Sequence, residues 1–376
     1  MDIQEHIRVL IADDSFFIRR YLVELLQEDP EIKIVGTAST GDEVVALSGV
    51  LHPDVITMDY HMPGKNGIEA AASIMLGAKP LPSIIMLSAF DGESGEEMRR
   101  ALLSSGAEVI TKPSGEVSLD IEKIAAHIIE RIKICGRTQV SVRKALARIH
   151  HDRTDRVSHA YGKLPSRVVV IGASTGGPPL VEHLLSLLDP DTGLTIVVVQ
   201  HMSKYFTELF AERLNRVTSF PTQEMKEKST LPPGTATVVP GAAALALIDD
   251  EQADPEHTPH FLVADSEKIN HEDTIDKTMT TVASVFGKRS IGVLLSGMGT
   301  DGAEGLKEIR AQGGVTLVQD PGSAAVSSMP LHAISEGHID KILSIEAIAE
   351  YINAAATESA HLGAHDTMSS DGGVDK

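Results

Sequence analysis

The 376-residue chain has no tryptophan, and aromatic residues make up only 3% of it. That scarcity argues against the stacking platforms that hold single-stranded nucleic acid. Cys135 is the sole cysteine. It can form no internal disulfide, which suits a reducing compartment. With no histidine paired to activate it, it reads as a partly buried bystander thiol. Positive charge is also short. The 33 Lys and Arg face 53 Asp and Glu, for a net charge of −20. Such a balance disfavours a nucleic-acid surface. No apolar run approaches the roughly 18 residues of a membrane span. The opening MDIQEHIRVL lacks the basic end and apolar stretch of a signal peptide. A cytoplasmic location without membrane insertion is expected.

What is present is two stretches of strand-helix alternation. In the first, β-branched runs at 7–12, 32–36, 54–58, 83–88 and 108–111 alternate with helical stretches such as 17–28 and 118–134. In the second, strands at 168–171, 194–200, 291–296 and 315–319 alternate with helices at 178–188, 206–216, 275–286 and 302–312. Both predict a doubly wound α/β domain with a parallel sheet, the first flavodoxin-like and the second Rossmann-like. The expected boundaries are 1–134 and 166–356. The polar, basic stretch 135–165 reads as a linker with a helical segment near 140–149, and 357–376 as a disordered tail. Residues 220–270, rich in Pro, Gly and Thr, suggest short antiparallel strands and loops beside the second sheet.

Parallel sheets place their sites at the carboxyl ends of their strands. In the first domain those ends carry Asp13 and Asp14, Asp59, Ser88 and Lys112. Three carboxylates in one pocket repel one another. A divalent cation removes that cost, and Mg²⁺ suits oxygen ligands. Phosphoryl transfer needs the same neutralisation, which Mg²⁺, Lys112 and the Ser88 hydroxyl can supply. Asp59, in the turn MDYHMPGKNG, is the natural acceptor. Singly, each residue has a bland reading: a double Asp as a helix cap, a Lys-Pro as a turn. Together, LIADDS, TMDYHMPGKNG, MLSA and TKPS resemble the receiver domains of two-component response regulators, over residues 6–130. The resemblance implies phosphorylation at Asp59 by a histidine kinase. It also implies Mg²⁺ at Asp13, Asp14, Asp59 and the backbone carbonyl of His61, and a cis Lys112–Pro113 bond. Many receivers carry an aromatic switch residue three positions before the lysine, where this chain has Val109.

In the second domain, Gly172-Ala173-Ser174-Thr175-Gly176-Gly177 joins a strand to a helix and fits the nucleophile elbow G-x-S-x-G. A phosphate-cradling loop of a dinucleotide fold is the rival. That fold wants an acidic residue at the end of its second strand, where this chain has Gln200-His201-Met202. A histidine there can serve Ser174 as general base. Asp301, in LLSGMGTDGA, can fix the histidine tautomer, though a helix N-cap is its bland role. The order Ser, His, Asp argues against a lipase-like hydrolase, in which the acid precedes the histidine.

IGASTGG, VVVQHM with FAERLN downstream, LLSGMGTDGA and QDPGSAAVSSMP resemble the protein-glutamate methylesterase/protein-glutamine glutaminase (CheB) family of chemotaxis, over residues 167 to about 355. The resemblance implies a Ser174–His201–Asp301 triad, the Met298 N–H in an oxyanion hole, and Thr175 supporting the histidine. It implies no cofactor for the ester reaction. The substrates implied are glutamate methyl esters and glutamines of chemoreceptors. Two segments depart from the family. Pro240-Gly241-Ala242-Ala243-Ala244 stands where Pro-Gly-x-x-His is usual, and His271-Glu272-Asp273 precedes Thr274-Ile275-Asp276 where a basic, proline-containing stretch is usual. A silent phosphate sink or receptor scaffold is the non-enzymatic alternative.

Overall fold

The computed structural model describes residues 6–77, 80–88, 108–111, 120–148, 165–226, 228–248, 259–264 and 273–367. The first unit comprises β1 (Ile7–Ala12), α1 (Phe16–Gln27), β2 (Ile32–Ala38), α2 (Gly41–Leu51), β3 (Val55–Asp59), α3 (Gly67–Gly77), β4 (Ser83–Ser88), β5 (Glu108–Thr111) and α4 (Asp120–Arg148). Its strands pair in parallel in the order β2-β1-β3-β4-β5. Polar residues start the helices where the chain leaves the sheet. Ser15 caps α1 through Ile18 N–H, and Thr40 caps α2 through Glu43 N–H.

The second unit begins with β6 (Arg167–Ala173), α5 (Gly177–Leu187), β7 (Leu194–Gln200), α6 (Lys204–Val217) and β8 (Thr222–Glu224). Next come β9 (Lys228–Ser229), β10 (Ala236–Val238), β11 (Ala244–Leu247), β12 (Phe261–Ala264) and α7 (Thr274–Phe286). It closes with β13 (Ser290–Leu294), α8 (Ala303–Ala311), β14 (Val315–Gln319), α9 (Ser328–Glu336), β15 (Lys341–Leu343) and α10 (Ile345–Thr367). A seven-stranded sheet runs β15-β14-β13-β6-β7-β10-β8, with every pair parallel.

The period-2 alternation of a strand distributes β6 and β7 between two cores. Val169, Ile171, Ile196 and Val198 face the layer of α5, α6 and α10. Val168, Val170, Val197 and Val199 face the layer of α7, α8 and α9. Burial on both faces explains why these strands read as unbroken apolar runs.

Three expectations need correction. The stretch at 220–270 is not all antiparallel. β8 and β10 extend the main sheet in parallel, while β9, β11 and β12 form a small antiparallel sheet of their own. The linker expected from residue 135 is helical as far as Arg148, because α4 is one helix of 29 residues. Its Cys135 is fully buried against Ile7 and Ile128, and Gln139 donates to Ser83 Oγ at 3.1 Å. The tail expected from residue 357 is helical as far as Thr367. Its alanines are strong helix formers. Among the described residues, no helix is long and apolar enough to cross a membrane.

Among the described residues, the two units are joined by arginine hydrogen bonds and by Ala72, Met75 and Leu81, which pack into the core of the second unit. Arg213 of α6 donates to the Met75 carbonyl at 2.8 Å, and Arg216 to the Leu76 carbonyl at 2.5 Å. Both carbonyls lie in the last turn of α3, where intrahelical donors run out. Elsewhere, Arg131 of α4 donates to the Ala325 carbonyl at 2.6 Å, and Ala325 is buried with the core of the first unit.

Candidate active site

In the first unit, β1 and β3 are neighbours and their carboxyl ends carry the acidic residues. Ligand atoms of Asp13, Asp14 and Asp59 all lie within 4.8 Å of one another. Asp13 and Asp59 are buried and Asp14 is exposed. Asp13 Oδ1 accepts from Ser15 N–H at 2.9 Å, and Arg19 donates to the Asp13 carbonyl at 2.6 Å. Three hard oxygen donors converging at a strand-end cleft fit a Mg²⁺ ion. His61 follows on the exposed loop after β3, its ring edge-on to Tyr60. Ser88 ends β4 opposite Thr111 of β5. Lys112 and Pro113 lie outside the described residues. Val109 packs half-buried against the apolar cluster that also takes up Tyr60.

In the second unit, β13, β6 and β7 lie side by side, and three loops leave their carboxyl ends. Ser174 follows β6, His201 follows β7, and Asp301 closes the loop between β13 and α8. The His201 N–H donates to the Ala173 carbonyl at 2.9 Å, which sets the histidine across from the residue before Ser174. His201 Nε2 lies 2.7 Å from Asp301 Oδ2. Ser174 and Asp301 are buried, while His201 is partly exposed. The structure thus brings all three sequence-predicted residues to one sheet edge.

The surrounding loops are tightly packed. A Cβ on Gly297 would lie 2.7 Å from Ser174 Cβ and 2.1 Å from Met329 Sδ, so only glycine lets that loop approach. Gly297 N–H donates to the Val326 carbonyl at 2.9 Å and Gly299 N–H to Ser328 Oγ at 3.2 Å. Between them, Met298 N–H has no hydrogen-bond partner among the described residues. Thr175 is buried beside Ser174, and its carbonyl accepts from Ser296 Oγ at 2.8 Å. Among the described residues it forms no hydrogen bond to His201.

Sequence reasoning did not single out several residues that hold this edge together. Gln200 Nε2 donates to the Ser174 carbonyl at 2.7 Å. Ser296 accepts from Ser174 N–H through its carbonyl at 3.0 Å and from Val326 N–H through its hydroxyl at 2.9 Å. Gln319 Oε1 accepts from Ser296 N–H at 2.9 Å. A polar side chain ending an otherwise apolar buried strand was the available signal for Gln200 and Gln319. Asp276 faces the same region. Burial, reinforced by the charge of Asp301, pushes its carboxyl up to about 6.

The departing segments border the site. Gly241 N–H donates to Thr207 Oγ1 at 3.0 Å, and a Cβ there would lie 2.2 Å from the Met202 carbonyl, just past His201. Ala242 takes a φ of 62°, a left-handed conformation uncommon for alanine. His271 and Glu272 lie outside the described residues.

The family model for the CheB methylesterase matches residues 169–352, and that for the response regulator receiver domain matches residues 9–122. The protein-glutamate methylesterase/protein-glutamine glutaminase of Methanococcus maripaludis is 37% identical over 351 residues, covering 90% of this chain and 94% of that one. Its counterpart from Pyrococcus horikoshii is 33% identical over 368 residues, covering 96% and 98%. The crystal structure of the Thermotoga maritima CheB methylesterase catalytic domain is 31% identical, with a TM-score of 0.46, and covers 51% of this chain and 99% of that chain. A receiver domain and a methylesterase domain in tandem, with likeness to these relatives along almost the whole length, make this chain a member of the CheB family of chemotaxis protein-glutamate methylesterases/protein-glutamine glutaminases.

Proposed function

We propose that Ser174, His201 and Asp301 hydrolyse glutamate methyl esters of chemoreceptors, and that phosphorylation of Asp59 releases this activity. The carrying observation is the 2.7 Å contact of His201 Nε2 with Asp301 Oδ2 beside the Ser174 loop. With Nε2 committed to the carboxylate, Nδ1 is the nitrogen left to act as base. It takes the Ser174 proton as Oγ bonds to the ester carbonyl carbon. The tetrahedral oxyanion is stabilised by the uncommitted Met298 N–H. The C–OCH₃ bond then breaks, and methanol leaves with the proton held by His201. Water repeats the sequence on the acyl-enzyme, freeing glutamate and Ser174. A glutamine amide follows the same course with ammonia as leaving group.

In the receiver, Asp13, Asp14, Asp59 and the His61 carbonyl are assigned to Mg²⁺, which when bound neutralises charge on the incoming phosphoryl group. Asp59 is the acceptor, with Ser88 and Lys112 as supporting groups and a chemotaxis histidine kinase as donor.

The Arg131 contact supports a restraint of the hydrolase by the receiver. Its acceptor, Ala325, packs on the nucleophile loop, since a Cβ on Gly176 would lie 2.6 Å from Ala325 Cβ. Methanol release from methylated receptors of the same organism tests the reading. Wild type is expected to respond to acetyl phosphate, Asp59→Ala to lose that response, and Ser174→Ala to lose all release. Release by Ser174→Ala, or an Asp59→Ala protein that still responds, overturns it.

A further inference from the structure

Helices α7 and α8 exchange their caps. Neither has a capping side chain at its own N-cap, which is Asp273 for α7 and Gly302 for α8. Instead, Asp301 accepts from the first turn of α7, through Oδ2 from Ile275 N–H and through Oδ1 from Asp276 N–H, both at 2.9 Å. Asp276 returns the arrangement. Its Oδ1 accepts from Gly302 N–H at 2.9 Å and from Gly305 N–H at 2.7 Å, at the start of α8. Each carboxylate satisfies orphan donors of the helix that follows or carries the other. The exchange depends on close approach. A Cβ on Gly305 would lie 2.7 Å from Met279 Cβ and 3.0 Å from Asp276 Cα.

Capping alone would be a matter of stability. Here one of the capping oxygens has a second task, because Asp301 Oδ2 is also the atom 2.7 Å from His201 Nε2. The direction of that carboxylate is therefore set from two sides. The N–H groups of α7 hold its oxygens, and Asp276 holds the start of α8, which immediately follows Asp301. The arrangement brings two carboxylates together at an electrostatic cost, where a serine or threonine could cap α8 with none. Asp273 and Lys277 of α7 line the same cleft as Asp276, Glu304 lies in the capped first turn of α8, and Asp301 is the charge that acts on Asp276 from the opposite loop. The facing strands β11 and β12 offer only apolar residues.

We propose that Asp276 is a positioning residue of the hydrolase, aligning the Asp301 carboxylate on His201 through these reciprocal caps. The inference rests on the triad reading of Asp301. Asp276 itself touches neither substrate nor the reacting atoms.

The test uses the full chain activated with acetyl phosphate and methylated receptor membranes as probe, and reads kcat and KM separately. Asp276→Asn keeps the acceptor oxygen and loses the charge. Asp276→Glu keeps the charge and displaces the oxygen by one methylene. Asp276→Asn is expected to retain kcat within about threefold. Asp276→Glu and Asp276→Ala are expected to lose about tenfold or more in kcat with KM within about twofold, as a displaced catalytic group does. Thermal unfolding reports whether each variant is folded at the assay temperature. If Asp276→Ala does not fold, the Asn and Glu pair decides. Wild-type kcat in folded Asp276→Glu, or equal losses in Asn and Glu, overturns the proposal. Asp301→Asn separates the two readings. If it turns over like wild type, the triad reading falls. If it is inactive while every folded Asp276 variant matches wild type, only the positioning role falls.

Discussion

The Arg131 guanidinium, on the last described helix of the receiver, donates to the carbonyl of Ala325 at 2.6 Å, on the loop that packs against Gly176 beside Ser174. A hydrogen bond from a charged donor contributes about 1.5–3 kcal/mol. Arg131→Ala is therefore expected to raise methanol release by the unphosphorylated protein about tenfold to a hundredfold. The activity after acetyl phosphate treatment is expected to change little. An unphosphorylated variant no faster than wild type would count against this contact as a restraint.

Removal of divalent metal separates the two domains chemically. With EDTA, acetyl phosphate is expected to leave Asp59 unmodified, as read by a phosphate-retarding gel, and Mg²⁺ is expected to restore the modification. Methanol release in EDTA is expected to fall to the level of Asp59→Ala and no further, because the proposed Ser174–His201–Asp301 reaction uses no metal. Complete loss of release in EDTA would sink this division of labour.

Asp276 predicts a pH dependence of stability with a definite sign. Its carboxyl is raised from 3.8 to about 6 in the folded protein, chiefly by burial and then by Asp301. The folded state thus binds the proton more tightly than the unfolded state. The group's stabilising contribution is complete below pH 3.8 and is lost as pH rises through about 6. Asp276→Asn does not titrate. Its melting temperature relative to wild type is expected to be higher at pH 8 than at pH 5 by about 2–4 °C or more, the shift for roughly 1 kcal/mol in a domain of this size. Calorimetry at the two pH values decides, and a flat or reversed difference refutes the assignment.

Two glycines make opposite predictions. Gly297→Ala drives a methyl group into Met329 and Ser174. It is expected to cost about 1–3 kcal/mol of stability and to slow labelling of Ser174 by a fluorophosphonate. Gly49, exposed in α2, has nothing within 4 Å of its added Cβ. Gly49→Ala is expected to stabilise by about 0.5–1 kcal/mol through helix propensity, with labelling unchanged. Similar melting temperatures for the two variants would refute the packing account of Gly297.

The parts of the fold legible in the sequence were those written in short-range pattern. VVVIGAS and TIVVVQHM announce buried strands that end in chemistry, because residues at the carboxyl ends of adjacent parallel strands must meet. The continuity of α4 was hidden by composition. Its second half is polar and basic, like a tether, and only the burial of Cys135 and Gln139 distinguishes it. The three-residue strands β8 and β10 are too short for any period to register. Asp276 escaped for another reason. Its partners Gly302 and Gly305 lie 26 and 29 residues away, and nothing local in Thr274-Ile275-Asp276 signals a cap offered to a different helix.

The contact between Arg213 and α3 bears on how freely the domains can part. The ionic partner of Arg213 is Glu182, at 2.5 and 3.0 Å, and both side chains are buried in the hydrolase domain, on α6 and α5. A charge stranded by separation would cost several kcal/mol. Here separation leaves the guanidinium with its carboxylate and releases the Met75 carbonyl to water, a loss of about 1.5–3 kcal/mol for a hydrogen bond from a charged donor. Separation at this seam therefore strands no ion, and its cost lies in the hydrogen bonds to α3 and in the apolar contact of Ala72, Met75 and Leu81 with the hydrolase core. The phosphorylation gate proposed above would have one to three new charge-assisted hydrogen bonds with which to offset that cost.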